Sequence, residues 1–127
     1  MTLLFEPLEI RGHRLRNRIV APPMASLTST KTGLPTVDTL DNYRPLTESG
    51  VGLAILEHHA VHAEGRTRLR QLLLDRDEVL SYQGDLAGLF SGAGLPALVQ
   101  VNHAGSYVED DDLLDDGWLP KAPSPIR

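Results

Sequence analysis

Three short apolar runs, separated by two segments of helix length, constrain this chain more than any other feature. The runs are RIVAPPM (residues 18–24), VGLAILEHHAV (51–61) and ALVQV (97–101). The first begins as a β-branched strand and is stopped by Pro22 and Pro23, which have no N–H to give to a ladder. The second is almost wholly apolar from Val51 to Leu56, the mark of a strand covered on both faces. The third follows Pro96. Between the first two, Thr36–Ser49 carries helix signals: Thr36 as N-cap behind Pro35, Asp38 in the first turn and Gly50 after the end. Val37, Leu40, Tyr43 and Leu46 recur every three residues and predict its buried face. Asp77–Ser91 predicts a second helix, with Leu80, Leu86, Leu89 and Phe90 inward, ending near Gly92–Gly94. This order predicts an α/β unit with parallel strands near 18–22, 51–57 and 97–101 and helices near 36–49 and 77–91 on one side. Ahead of it, LFEPLEIRGHRLRN (4–17) alternates apolar and polar residues about Gly12, which predicts a small hairpin.

Composition narrows what such a unit can do. The 127 residues are 41% apolar and 23% charged, enough for one packed domain. Acidic residues outnumber basic ones 17 to 12, for a net charge of −5, which argues against non-specific nucleic-acid binding. There is no cysteine, so disulfides, thiolate metal sites and a cysteine nucleophile are ruled out in this chain. No apolar run is long enough to predict a transmembrane helix. Met1–Ile10 lacks the basic-then-apolar order of a signal peptide, and the expectation is a cytoplasmic protein. The acidic stretch EDDDLLDD (109–116) and the proline-rich tail PKAPSPIR (120–127) predict surface loops.

Candidate ligands are few. His58, His59, His62 and His103 raise the question of a metal, but an extended chain sets residues 58 and 62 roughly 13 Å apart, too far to share one ion. The acidic stretch lacks the glycine and ligand spacing of an EF-hand loop. No metal is expected. Gln100 is different, because burying a carboxamide unpaired in an apolar strand costs about 1–3 kcal/mol. It reads either as a strand residue bonded to a neighbour or as a reader of a ligand edge that offers donor and acceptor together. Ala21–Ala25 reads first as a plain strand end, and second as a stiff wall with little rotamer entropy to lose.

Seven segments, in order, carry a resemblance: LFEPLEI, NRIVAPPM, GLPT, GVGLAILEHHAVHAEGR, the pair DE (77–78), VQVNHAG and APSPI. Together, from Leu4 to Ile126, they resemble the N-terminal third of old yellow enzyme-like NADH:flavin oxidoreductases. The resemblance implies a (β/α)₈ TIM barrel with FMN at the C-terminal ends of the strands, below an N-terminal hairpin. Residues 1–127 would be its N-terminal portion, with three strand–helix positions of a fold that takes about 250 residues. The flavin carries the hydride chemistry and the protein orients it.

The resemblance places Pro22, Pro23, Met24 and Ala25 beside the flavin through their backbone, and makes Gln100 the family's flavin-binding glutamine. His58 stands where the family has a small residue with its backbone near the flavin; it either donates its N–H there, crowds the site or pairs with a flavin carbonyl. Glu57 matches a common acid. Ala25 replaces a redox-tuning cysteine of many bacterial relatives, Leu27 a substrate-binding tyrosine, and Ser106 the arginine usual after HAG. No catalytic residue is assigned: the family's substrate-binding pair follows strand four, and its phosphate loops follow strands seven and eight.

Three parallel strands cannot close a barrel, and open strand edges must be covered. The expectation is therefore the small subunit of a split barrel, completed by a second polypeptide carrying strands four to eight. It would act on a small molecule with NAD(P)H or another electron carrier, by ene-reduction of an activated alkene or oxidative demethylation of an amine. The alternative is an inactive truncated product or an oligomerisation module.

Overall fold

The computed structural model describes residues 3–108, 113, 114, 119 and 121–124. Most of the acidic stretch, together with Pro120 and residues 125–127, lies outside the described residues, and so do most of the loops predicted there.

The predicted hairpin forms from β1 (Leu8–Ile10) and β2 (His13–Leu15), antiparallel, with Leu8 opposite Leu15. Arg11 and Gly12 make its turn at φ 48° and 84°. Two consecutive positive φ values are what a two-residue type I′ turn requires, and Gly12 supplies one at no steric cost.

The three apolar runs become β3 (Val20–Ala21), β4 (Leu53–Ala60) and β5 (Ala97–Asn102), one parallel sheet in the order β3-β4-β5. Val20 pairs with Leu53, and Ala54 with Ala97. The crossovers are α1 (Val37–Glu48) and α2 (Leu80–Gly92), the latter entered through a 3₁₀ turn at Asp77–Val79. Both helices pack on one face of the sheet, where Tyr43, Tyr82, Leu86 and Phe90 meet Ala21, Ala54 and Leu56. Tyr43 and Phe90 stack edge to face, with ring centroids 6.3 Å apart. Asn17 ties the hairpin to this layer: its Nδ2 donates to the Gly50 carbonyl at 2.8 Å, and its Oδ1 accepts from the Ile19 N–H at 3.0 Å. Gly52 permits that approach, since a Cβ there would lie 2.3 Å from the Asn17 carbonyl oxygen.

The structure departs from the sequence reading in five places. Val37 and Leu80, predicted inward, are 74% and 64% exposed. Each is the first residue of its helix, and side chains that lean toward the helix N-terminus overhang the core edge there. Tyr82, not predicted inward, is buried in that layer. β4 runs on to Ala60 because a loop adds to its end: the Ala60 N–H donates to Leu72 at 2.8 Å, and the Leu74 N–H donates to the Ala60 carbonyl at 2.9 Å. β4 is also not covered on both faces; Ala54 and Leu56 are buried, while Leu53 and Ile55 are only half-buried. Finally, the hairpin does not sit above the C-terminal strand ends. Ile10, His13 and Leu15 line a cavity of about 320 Å³ with Leu53, Pro96 and Leu98, so the hairpin packs at the N-terminal ends of β4 and β5.

Candidate functional site

The C-terminal halves of the strands and the loops that follow them hold Pro22–Ala25, Leu27, His58 and Gln100. β3 is followed by Pro22–Ala25, of which Pro23 is half-buried and Pro22, Met24 and Ala25 are exposed. The chain then bends at Leu27, half-buried and at φ 55°, in the left-handed region that a branched side chain rarely visits.

That bend is held by a buried carboxylate. Glu57, 1% exposed on β4, accepts from the Ser26 N–H at 3.0 Å, the Ser26 hydroxyl at 2.6 Å and the Tyr43 hydroxyl at 2.8 Å. The Tyr43 oxygen in turn accepts from the Glu57 N–H at 3.2 Å. Ser26 continues to Thr28 at 2.8 Å, whose hydroxyl donates to the buried Thr39 at 3.1 Å, linking the loop to the first turn of α1. Thr39 Oγ1 also accepts from the Thr36 N–H at 3.0 Å, so Thr36 starts the helix as predicted. Burial, and then the Glu57 charge, push the Tyr43 phenol far above the usual tyrosine range, so it remains a donor. A buried carboxyl is tolerated here because three donors converge on it.

The second element is a β-bulge. Leu56 pairs with Val99, but the next pair is His59 with Val101, so Glu57 and His58 together oppose Gln100. The bulge lets Glu57 reach Tyr43 and Ser26. His58 is half-buried, and its Nε2 is buried with no hydrogen-bond partner. The His59 ring is fully buried, with Nδ1 2.8 Å from the Glu57 carbonyl, which makes the Nδ1–H tautomer the neutral form. Burial lowers its pKa, opposed by that hydrogen bond.

Gln100 lies with Leu98 on the side of β5 that the helices leave bare, and it is exposed. The sequence predicted a buried amide in need of a partner; among the described residues nothing covers it. His62 accepts from the Glu64 N–H at 3.2 Å, and His103 from the Gly105 N–H at 3.1 Å, so each orders its own turn. Ser106 is half-buried beyond them. Among the described residues no group of His, Asp or Glu is placed to hold a metal ion, and no helix is long and apolar enough to cross a membrane.

Sequence reasoning missed Ser26 and the polar role of Tyr43, and did not single out Gln71 at all. A glutamate closing the apolar run LAILE was the available signal, because such a residue must find donors. Gln71, 1% exposed, bonds Thr67, His58 and Asn102, and no periodicity marks it.

Comparison with known proteins gives this geometry its setting. The profile of the NADH:flavin oxidoreductase / NADH oxidase family matches residues 3–126. An NADH oxidase of Thermoanaerobacter brockii is 34% identical over 97% of this chain, which spans 19% of that protein. An NADPH dehydrogenase of Geobacillus sp. (strain WCH70) is 36% identical over 87% of this chain and 33% of its own length. The chain thus spans a third or less of the length of these two relatives. Among solved structures, an old yellow enzyme homologue from Zymomonas mobilis superposes with TM-score 0.84 at 23% identity, over 99% of this chain and 34% of that one. Morphinone reductase in complex with tetrahydroNAD superposes with TM-score 0.82 at 21% identity, over 100% of this chain and 34% of the other. At that identity the structural likeness speaks for the fold, a part of the old yellow enzyme barrel. By sequence and by fold, the chain belongs to the NADH:flavin oxidoreductase / NADH oxidase family, whose cofactor is FMN.

Proposed function

We propose that this chain supplies the first three strand positions of an FMN-dependent (β/α)₈ oxidoreductase, with strands four to eight contributed by a second polypeptide. One observation carries the reading: the C-terminal ends of three parallel strands gather Pro22–Ala25, the His58 bulge and the uncovered Gln100 on one rim. Rims of this kind are where barrel enzymes place their chemistry. The residues fit a flavin. A carboxamide on an otherwise apolar bare face offers donor and acceptor together, as the pyrimidine edge of the ring system asks.

FMN, when bound, supplies the hydride chemistry. In this reading Gln100 orients the ring by its edge. Pro22, Pro23, Met24 and Ala25 wall one side and keep water out. His58 contributes through its backbone, because its Nε2 is buried within this chain and its ring does not offer that nitrogen to the open face. Leu27 gives an apolar surface to the substrate, with neither the thiol nor the phenol that relatives carry at positions 25 and 27. No proton donor is assigned within these residues. The reaction class is NAD(P)H-linked reduction of an activated alkene or oxidative demethylation of a small amine, in the cytoplasm. The missing part of the barrel would cover Leu98 and the apolar groove of about 410 Å³ between α2 and β5, burying well over ~2,000 Å² as obligate interfaces do.

Native purification tests this. The expected result is a yellow complex containing a further chain of roughly 200 residues or more, the remainder of a barrel. A yellow protein in which these residues continue into one longer polypeptide removes the second chain and keeps the flavin reading. A colourless, monodisperse monomer contradicts both.

A further inference from the structure

We propose that Gln71 is a positioning residue that fixes the flavin-facing ends of β4 and β5 relative to each other, an inference that rests on the flavin reading above. Its carboxamide is fully used. Oε1 accepts from the Thr67 N–H at 2.8 Å and the Thr67 hydroxyl at 3.2 Å, while Nε2 donates to the His58 carbonyl at 3.3 Å and to Asn102 Oδ1 at 2.7 Å. One side chain therefore joins the loop after β4, the bulge and the end of β5.

The location gives that junction its consequence. At the bulge the β4–β5 ladder is interrupted between Leu56 and His59, so regular backbone pairing does not set the orientation of the His58 peptide. Gln71 does so from the side. Asn102 follows Gln100 by two residues, and its carbonyl accepts from the Val61 N–H at 3.1 Å. Holding Asn102 thus fixes the strand end from which Gln100 projects. The clamp is itself rigid: Leu72 and Leu73 are each 1% exposed, and the Leu73 N–H donates to the Gly33 carbonyl at 3.0 Å. A Cβ at Gly33, where φ is 77°, would lie 2.5 Å from Leu73 Cγ, so the loop after β3 presses directly on this segment.

The plainer reading is a satisfied buried amide that stabilises the fold and nothing more. The two differ in what a substitution does to the flavin. Gln71→Glu keeps the shape and the acceptor toward Thr67 but sets an acceptor against the His58 carbonyl. Gln71→Leu removes all four bonds. Leu86→Ala, in the helix layer, serves as a control that destabilises without touching the strand ends.

The experiment uses the complete flavin-loaded barrel. It measures FMN affinity, the flavin absorption spectrum and reduction potential, and amide exchange at Val61 and Thr67 relative to α2. Gln71→Glu is expected to weaken FMN binding about tenfold, the equivalent of one or two lost hydrogen bonds, and to shift the spectrum and potential. Exchange at Val61 and Thr67 should quicken by about tenfold or more. Leu86→Ala should lower the melting temperature and leave the flavin readouts alone. Flavin readouts unchanged in Gln71→Glu, or changed equally in Leu86→Ala, overturn the proposal. If Gln71→Leu does not fold, Gln71→Glu decides. A wild-type barrel that binds no FMN sinks the flavin reading instead, and exchange at Val61 and Thr67 then judges the clamp: no change in Gln71→Glu overturns it.

Discussion

The sheet has two faces made from similar residues and treated differently. On one, Ala54 and Leu56 are sealed beneath Tyr43, Leu86 and Phe90. On the other, Val20 and Leu98 are 43% and 56% exposed, with Gln100 beside them. β5 makes the contrast in consecutive residues, Ala97 and Val99 turned to the helices and Leu98 and Gln100 turned away. Nothing in hydropathy separates Leu98 from Leu56; what differs is whether the described residues supply a cover. The bare face thus resembles the inner surface of a barrel seen without its remaining strands, and the polar residue set in it marks the rim.

Truncating one leucine on each face should separate the two faces most clearly. Leu56→Ala should cost ~2–5 kcal/mol, as buried leucines do, measured by denaturant unfolding. Leu98→Ala should cost under ~0.5 kcal/mol in this chain by itself and rise toward the Leu56 value once the barrel is complete. Equal costs in the lone chain would mean that the two faces are not different. Glu57→Leu comes next, at about 1–3 kcal/mol, because it strands the Ser26 amide and leaves two hydroxyls to find other partners. Glu57→Gln should cost less, since both hydroxyls can accept from an amide; urea titration of the pair checks the order.

A smaller effect follows pH. Burial holds the folded pKa of His59 below the usual value of 6.5, so the unfolded chain takes up the proton first. Its contribution to stability is therefore complete above the unfolded pKa and is lost as pH falls from there toward the folded pKa. Unfolding midpoints at about pH 7.5 and about pH 5.5 should diverge, and His59→Asn should narrow the gap. The smallest change lies away from both faces. Arg11→Asn at φ 48° should raise stability by a few tenths of a kcal/mol, read as a slight rise in melting temperature.

Local order was legible in the sequence wherever it depended on local chemistry. Gly12 announced the hairpin, Pro22 and Pro23 ended β3, and the alternation of runs gave three parallel strands with both helices on one side. What failed depended on distant partners. Periodicity assigned Val37 and Leu80 to buried faces, but it does not know where a helix begins relative to the core edge. The extension of β4 to Ala60 needs the loop residues Leu72 and Leu74. The Glu57 clamp needs the bulge that turns it toward Tyr43 and Ser26, and a bulge leaves no trace in composition. An apolar run also reads as covered whether or not its cover lies in the same stretch of chain, so the run alone does not say which face stays bare; the incomplete barrel implied by the resemblance is what foretold uncovered apolar faces. The candidate site residues came from family likeness, while the network that holds them came from coordinates.

If the bare face is a cofactor face, Gln100→Leu should disturb the flavin that lies against it. The substitution keeps similar bulk and removes both hydrogen-bonding functions. Reduced flavin carries negative charge near N1 and O2, so a donor there favours the reduced state. In the complete barrel the variant should bind FMN more weakly or show a lower reduction potential, at a cost of about 1–3 kcal/mol for the unmatched polar edge. The measurement is a flavin titration paired with a redox titration of wild type and variant. Equal affinities together with one shared potential would mean that Gln100 reads no flavin and that the bare face is not a cofactor face.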